Sequence, residues 1–187
     1  MDLLAGYHFY INQPGGELRL IPKTLGTVSP PPNWDMVQLT RNPFLDDGRE
    51  LHFFQLRLGN ALTPALLDTG SQFNMMNWNT ERFPRLRAVK KTLRKNWELA
   101  GAVGVFQPVS KIASENARAG QKFWSTNEFI VLDFESLNVL GIDGKPFVIA
   151  GMPMFGAVPI IVDFENDKMY FAPDKNEVEP QPFLVVR

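Results

Sequence analysis

Met1–Pro22 (MDLLAGYHFYINQPGGELRLIP) and Met152–Pro173 (MPMFGAVPIIVDFENDKMYFAP) align without a gap. Few residues are identical, but the pattern repeats. Leu3-Leu4 matches Met154-Phe155, Phe9-Tyr10-Ile11 matches Ile160-Ile161-Val162, and Asn12 matches Asp163. Leu18 and Leu20 match Met169 and Phe171. Each copy reads as a short apolar turn, a strand, a polar turn and a second strand ending in proline. Any two β-hairpins share a rough pattern, but a gapless match closed by proline in both copies favours a true repeat. A repeat is an architectural signal, because one supersecondary unit cannot bury its apolar face alone. Met1–Pro22 is therefore expected to be the closing hairpin of an upstream unit, most of which this chain does not contain.

Between the two copies the chain reads as short strands broken by turn residues. His52–Leu58 (HFFQLRL) mixes apolar and polar residues as a half-buried strand does. Gly59-Asn60 is a turn, and Ala65-Leu66-Leu67 a return strand entering the core. Phe129–Leu132, Phe147–Ala150, Val158–Val162 and Lys168–Phe171 also read as strands, the last two joined by the turn Glu165-Asn166-Asp167. One stretch predicts a helix: over Pro84–Lys95, Leu86, Val89 and Leu93 fall near helical spacing, with Pro84 suited to a first turn. Its other face, from Arg85 to Lys95, is basic and reads as a solvated face. The stretch from Lys23 to Gly48, with Pro30-Pro31-Pro32, reads as a stiff linker. The tail ends in apolar Phe183-Leu184-Val185-Val186, which needs a sheet edge in this chain or in another subunit.

Composition narrows the chemistry. The 187 residues include no cysteine, which excludes disulfides and thiol nucleophiles, and only two histidines, His8 and His52, far apart. A histidine metal site or a Ser-His triad is not expected. A net charge of -1 gives no general pull toward nucleic acid or anionic membrane. No apolar run approaches the roughly 18 residues of a membrane span, and the N-terminus does not read as a signal peptide. No phosphate loop, dinucleotide fingerprint or metal-ligand cluster appears, so no cofactor and no metal are expected.

The chemistry centres on Leu66-Leu67-Asp68-Thr69-Gly70-Ser71, where an apolar strand breaks into a polar turn. An ordinary surface aspartate does not follow two leucines that end a buried strand. Thr69 can hydrogen-bond across to a neighbouring backbone, Gly70 allows close approach and unusual dihedrals, and Ser71 can donate to the carboxylate. Two such aspartates facing each other would share a proton and hold a water, one acting as base and the other donating to a carbonyl oxygen. The tetrapeptide alone is equally compatible with an Asp-Gly β-turn.

The run from Leu51 through Phe171 resembles the retropepsin-like aspartic proteases, especially the bacterial single-repeat kind. Three elements carry the resemblance: Leu66–Ser71, the glycine-bearing stretch Ala100-Gly101-Ala102-Val103-Gly104, and Phe147-Val148-Ile149-Ala150-Gly151-Met152 followed by Val158–Phe171. It implies a mostly β fold, a closed barrel like a retropepsin or half of a pepsin, with one or two short helices. It divides the chain into a closing hairpin of an upstream retropepsin-like repeat (1–22), a Pro-rich linker (23–48), a retropepsin-like domain (49–173) and a C-terminal tail that can serve as an interface strand (174–187). It makes Asp68 the catalytic carboxylate. Thr69 becomes a cross-dimer hydrogen-bonding residue, Gly70 and Ser71 the support of the carboxylate, and Gly101, Ala102, Val103 and Gly104 a flap over substrate. One departure stands out. Members often carry an acidic residue two positions after the closing glycine; here that position is Pro153, while the matching residue of the first copy is Asp2.

The expected function is aspartic endopeptidase activity on extended polypeptides. Because the sequence holds a single Asp-Thr-Gly, the second carboxylate has to come from a homodimer or from the upstream repeat. The alternative is a catalytically inactive, protease-like module for peptide binding or dimerisation. A nucleic-acid role for the Arg85–Lys95 face is disfavoured by the near-neutral charge and the lack of interleaved aromatics. The compartment stays open; similar bacterial proteins are often exported or periplasmic.

Overall fold

The computed structural model describes residues 6–42, 51–82, 87–89, 99–101, 104–106, 111–132, 141–142, 144–173 and 184–186. In chain order its elements begin with β1 (Tyr7–Asn12), β2 (Glu17–Pro22), β3 (Thr27–Ser29), β4 (Asp35–Gln38), β5 (Thr40–Arg41), β6 (His52–Leu58) and β7 (Ala61–Leu67). There follow β8 (Met75–Met76), α1 (Trp78–Arg82), β9 (Arg87–Val89), β10 (Leu99–Gly101), β11 (Gly104–Phe106), β12 (Lys111–Ala119) and β13 (Lys122–Val131). The chain closes with β14 (Val148–Ala150), α2 (Met152–Phe155), β15 (Ile160–Asp163), β16 (Lys168–Phe171) and β17 (Leu184–Val186). The architecture is mostly β with two short helices, as the sequence predicts. Among the described residues no helix is long and apolar enough to cross a membrane. The chain forms two compact units: Met1–Leu39 with Gly120–Lys122 and Phe155–Arg187, and Thr40–Ala119 with Phe123–Met154.

The second unit is a closed barrel. Its strands run β6-β7-β14-β8-β13-β12, and a further β6–β12 pairing shuts the ring, with β5 and β9 attached outside. In β6, buried Phe54, Leu56 and Leu58 alternate with exposed Gln55 and Arg57, the period-two pattern of a strand with one face in a core. Phe53, Leu66, Ile130, Leu132, Ile142, Phe147 and Ile149 form one buried cluster. In it the Phe53 and Phe147 rings lie 6.1 Å apart at a tilt of 56°, a separation at which aromatic pairs attract beyond their burial. Buried Asn77 organises the polar side of this core. Its Oδ1 accepts from the Thr80 N–H (3.0 Å), the Thr80 hydroxyl (2.8 Å) and the Phe147 N–H (3.2 Å), and its amide donates to the Lys145 carbonyl (2.6 Å). Truncation leaves the buried Thr80 N–H without its acceptor and the Lys145 carbonyl without the Asn77 donor, while the Phe147 N–H still donates to the Thr80 hydroxyl and that hydroxyl to the Phe147 carbonyl, so Asn77→Ala is expected to lower unfolding stability by about 2 kcal/mol. An unchanged denaturant midpoint would contradict that expectation.

The first unit holds a five-stranded sheet, β2-β1-β15-β16-β4, and a separate β3–β17 pair. β1 and β2 form one hairpin and β15 and β16 another, and these are the two copies of the repeat. Their turns agree in detail. The Asn12 side chain accepts from the Gly15 N–H at 3.1 Å, and its match Asp163 accepts from the N–H of Asn166, the match of Gly15, also at 3.1 Å. The next residue is left-handed in both turns, Gly16 at φ 64° and Asp167 at φ 51°. An aspartate or asparagine that caps its own turn is the local reason both hairpins close there.

Two sequence expectations change. The stretch from Lys23, which reads as a linker, carries β3, β4 and β5 and buries Val28, Trp34, Val37 and Leu39. Its prolines punctuate strands instead of stiffening a spacer; residues 43–48 lie outside the described ones. The predicted helix over Pro84–Lys95 is corrected at residues 87–89, which form β9 and pair antiparallel with Ile112–Ser114 of β12. Backbone pairing to a long neighbouring strand outweighs a weak local helical period; the rest of that stretch lies outside the described residues. The apolar tail does find an edge in its own chain, Leu184, Val185 and Val186 lying opposite Ser29, Val28 and Thr27.

Candidate active site

Asp68 stands at the end of β7, on a loop whose path is set by β14. Strand β14 runs parallel to β7, with Val148, Ile149 and Ala150 opposite Ala65, Leu66 and Leu67. On its other side it runs antiparallel to β8, with Val148 and Ile149 opposite Met76 and Met75. The chain therefore leaves β7 on one side of β14, loops over its end and returns on the other side as β8. The end of β14 would leave polar backbone groups unsatisfied, and the loop satisfies them. The Asp68 N–H donates to the Ala150 carbonyl (3.0 Å), the Met152 N–H donates to the Ser71 carbonyl (2.8 Å), and the Gly151 N–H donates to Asn74 Oδ1 (3.0 Å). Burial without such partners costs about 1–3 kcal/mol per group, so the loop is fixed in place.

Within the loop, the Gly70 N–H donates to Asp68 Oδ1 at 3.0 Å and the Ser71 N–H to the Asp68 carbonyl at 3.2 Å. Asp68 is half-buried, and Thr69 and Gly70 are exposed. A Cβ on Gly70 would come within 3.3 Å of the carboxylate oxygen. Gly70 is not among the left-handed residues, so it serves by close approach and not by unusual dihedrals. The Ser71 hydroxyl departs from expectation. It donates to the Phe73 carbonyl at 2.7 Å and accepts from the Phe73 N–H at 3.4 Å, not supporting the Asp68 carboxylate. A local turn two residues ahead offers both of its hydrogen bonds at once.

Sequence reasoning missed Asn74. It is 2 % exposed, its Oδ1 accepts from Gly151, and its amide donates to the Glu128 carbonyl at 3.4 Å. The available signal was an amide set between apolar Phe73 and Met75. Asn74→Ala leaves the Gly151 N–H without its acceptor, and a loss of about 1–3 kcal/mol is expected in denaturant unfolding; wild-type stability would contradict the anchoring role.

Of the glycine-bearing stretch, Gly101 and Gly104 stand opposite each other in the β10–β11 hairpin, a two-stranded sheet of its own. Ala102 and Val103 lie outside the described residues. Pro153 sits exposed in the first turn of α2, where a missing N–H costs no helical hydrogen bond; its counterpart Asp2 lies outside the described residues. Among the described residues no group of three or more His, Cys, Asp or Glu side chains could hold a metal ion.

No family model and no curated protein matches the chain. Among solved structures the chain is similar to a retropepsin-like aspartic protease from Rickettsia conorii, with 12 % identity, coverage of 78 % of this chain and 95 % of that one, and a TM-score of 0.43.

Proposed function

We propose that this protein is an aspartic endopeptidase in which Asp68 supplies one of two carboxylates. The observation that carries the reading is the loop over β14. It fixes the backbone around Asp68 on both sides, aims the Gly70 N–H at one carboxylate oxygen and leaves Thr69 exposed beside it. A carboxylate held this way is preorganised to face a second one. The pair then shares a proton: one group takes a proton from the attacking water, and the other donates to the oxygen of the scissile carbonyl. Thr69 is suited to bond across to the matching loop, and Gly101 to Gly104 to cover an extended polypeptide. The decisive experiment is incubation of the chain with an unstructured protein from acid to neutral pH, with fragments read by mass spectrometry. Fragments that persist in Asp68→Asn would exclude this mechanism.

The turned-away hydroxyl of Ser71 favours one second reading, a peptide-binding module that keeps the loop without hydrolysis. It predicts retention of extended peptides without any cut.

A further inference from the structure

The two copies of the closing hairpin meet across a local two-fold axis. In the β1–β15 ladder Tyr10 stands opposite Ile161, its own match in the repeat. Phe9 stands opposite Val162, the match of Ile11, and Ile11 opposite Ile160, the match of Phe9. The ribbon β2-β1-β15-β16 is therefore symmetric about the Tyr10–Ile161 pair. Symmetry fails on the outside. β4 covers the outer edge of β16, and Met169 and Phe171 are both 0 % exposed. β2 ends the sheet, and among the described residues no strand pairs with its outer edge. Leu18 and Leu20, the matches of Met169 and Phe171, are 63 % and 42 % exposed. Among the described residues the same hairpin thus has a covering strand in one copy, and in the other an unpaired edge with Leu18 and Leu20 exposed. Bare apolar side chains on an open strand edge mark a surface that pairs with something.

We propose that the outer edge and apolar face of β2 dock the body of a second retropepsin-like repeat, the one that closes with Tyr7–Pro22. The occupant is that repeat and not a second copy of this chain, and only its naming as retropepsin-like rests on the protease reading. A second copy placed on the same axis would need the edge of β15 that β1 already occupies. It would also bring Pro159, the match of His8, opposite Asp163. In the observed hub His8 is 0 % exposed and its Nδ1 lies 3.2 Å from Asp163 Oδ1, off the line of a hydrogen bond, with Nε2 3.9 Å from Glu165 Oε2. The imidazole facing a 1 % exposed carboxylate is a pairing only the unlike hairpins can make, the kind of element that selects one partner against another.

The test joins a copy of residues 35–151 directly ahead of Met1 of the full chain, the junction that Gly151–Met152 makes in the second repeat. Amide hydrogen exchange at Leu18 and Leu20 is expected to slow roughly tenfold or more relative to the chain alone, and Leu18→Lys with Leu20→Lys to reverse this. A folded tandem whose β2 exchanges as fast as in the chain alone overturns the proposal. The chain alone gives an independent test, because it has no cysteine. Tyr10→Cys with Ile161→Cys is expected to close an internal bridge on oxidation, and Ile161→Cys by itself to stay monomeric. A disulfide joining two copies through Ile161→Cys would place a second copy on β15 and refute the proposal. Exchange and cross-linking do not depend on cleavage. A protected β2 without proteolysis leaves the docking intact and removes the protease reading; proteolysis by the chain alone with an unprotected β2 does the reverse.

Discussion

Replacing Asp68 with Asn is expected to cut peptide-bond hydrolysis by roughly 10²–10⁴-fold, the usual contribution of a positioned acid or base, with little change in stability. Asparagine keeps the size of the side chain and an oxygen to accept from the Gly70 N–H at 3.0 Å. The backbone bonds from Asp68 to Ala150 and from Ser71 to Asp68 do not involve the side chain at all. What disappears is the negative charge and the exchangeable proton, and both are needed to activate water. Asp68→Asn should therefore retain the thermal midpoint of the parent while losing its fragments. Loss of folding together with activity would mean that the carboxylate is structural, and the turn reading of Asp-Thr-Gly would then stand.

Gly151→Ala is expected to destabilise the barrel by about 3 kcal/mol, the upper range for forcing an added methyl into a packed site, and to lower activity with it. A Cβ at this position would lie 2.3 Å from the Phe73 carbonyl oxygen and 2.8 Å from that of Ser71. Both are backbone atoms of the loop that carries Asp68, so neither can swing aside as a flexible side chain would. Relief would require lifting the loop off the end of β14, which breaks the Gly151–Asn74 and Met152–Ser71 hydrogen bonds. Chemical denaturation measures the stability loss. Wild-type stability in Gly151→Ala would show that the loop is free to move and would weaken the case for a preorganised carboxylate. The two substitutions are complementary: Asp68→Asn removes the charge and keeps the scaffold, while Gly151→Ala keeps the charge and disturbs the scaffold.

Much of this was legible in the sequence because it is local. The alternation in His52–Leu58, the return strand into Leu67, and the turns closed by Asn12 and Asp163 each depend on residues a few positions apart. The aspartate after two leucines could be singled out for the same reason. The Pro84–Lys95 stretch shows the limit, since a weak helical period at residues 87–89 yields to pairing with a strand some 25 positions later. The linker reading failed similarly: Val37 and Leu39 are buried by strands from the far end of the chain, and local composition cannot register that.

The sequence by itself determined the strand-and-turn grammar, the repeating pattern, and the placing of an aspartate where an apolar strand breaks into a polar turn, because propensity, periodicity and side-chain chemistry are properties of neighbours along the chain. Only the tertiary structure decided that β14 slots between β7 and β8, that Asn74 and Gly151 pin the Asp68 loop, and that Ser71 turns to Phe73. It alone placed Tyr10 opposite Ile161 and left Leu18 and Leu20 of β2 exposed. Those outcomes depend on which distant backbone groups must share hydrogen bonds once buried, a condition that exists only after the chain has closed on itself.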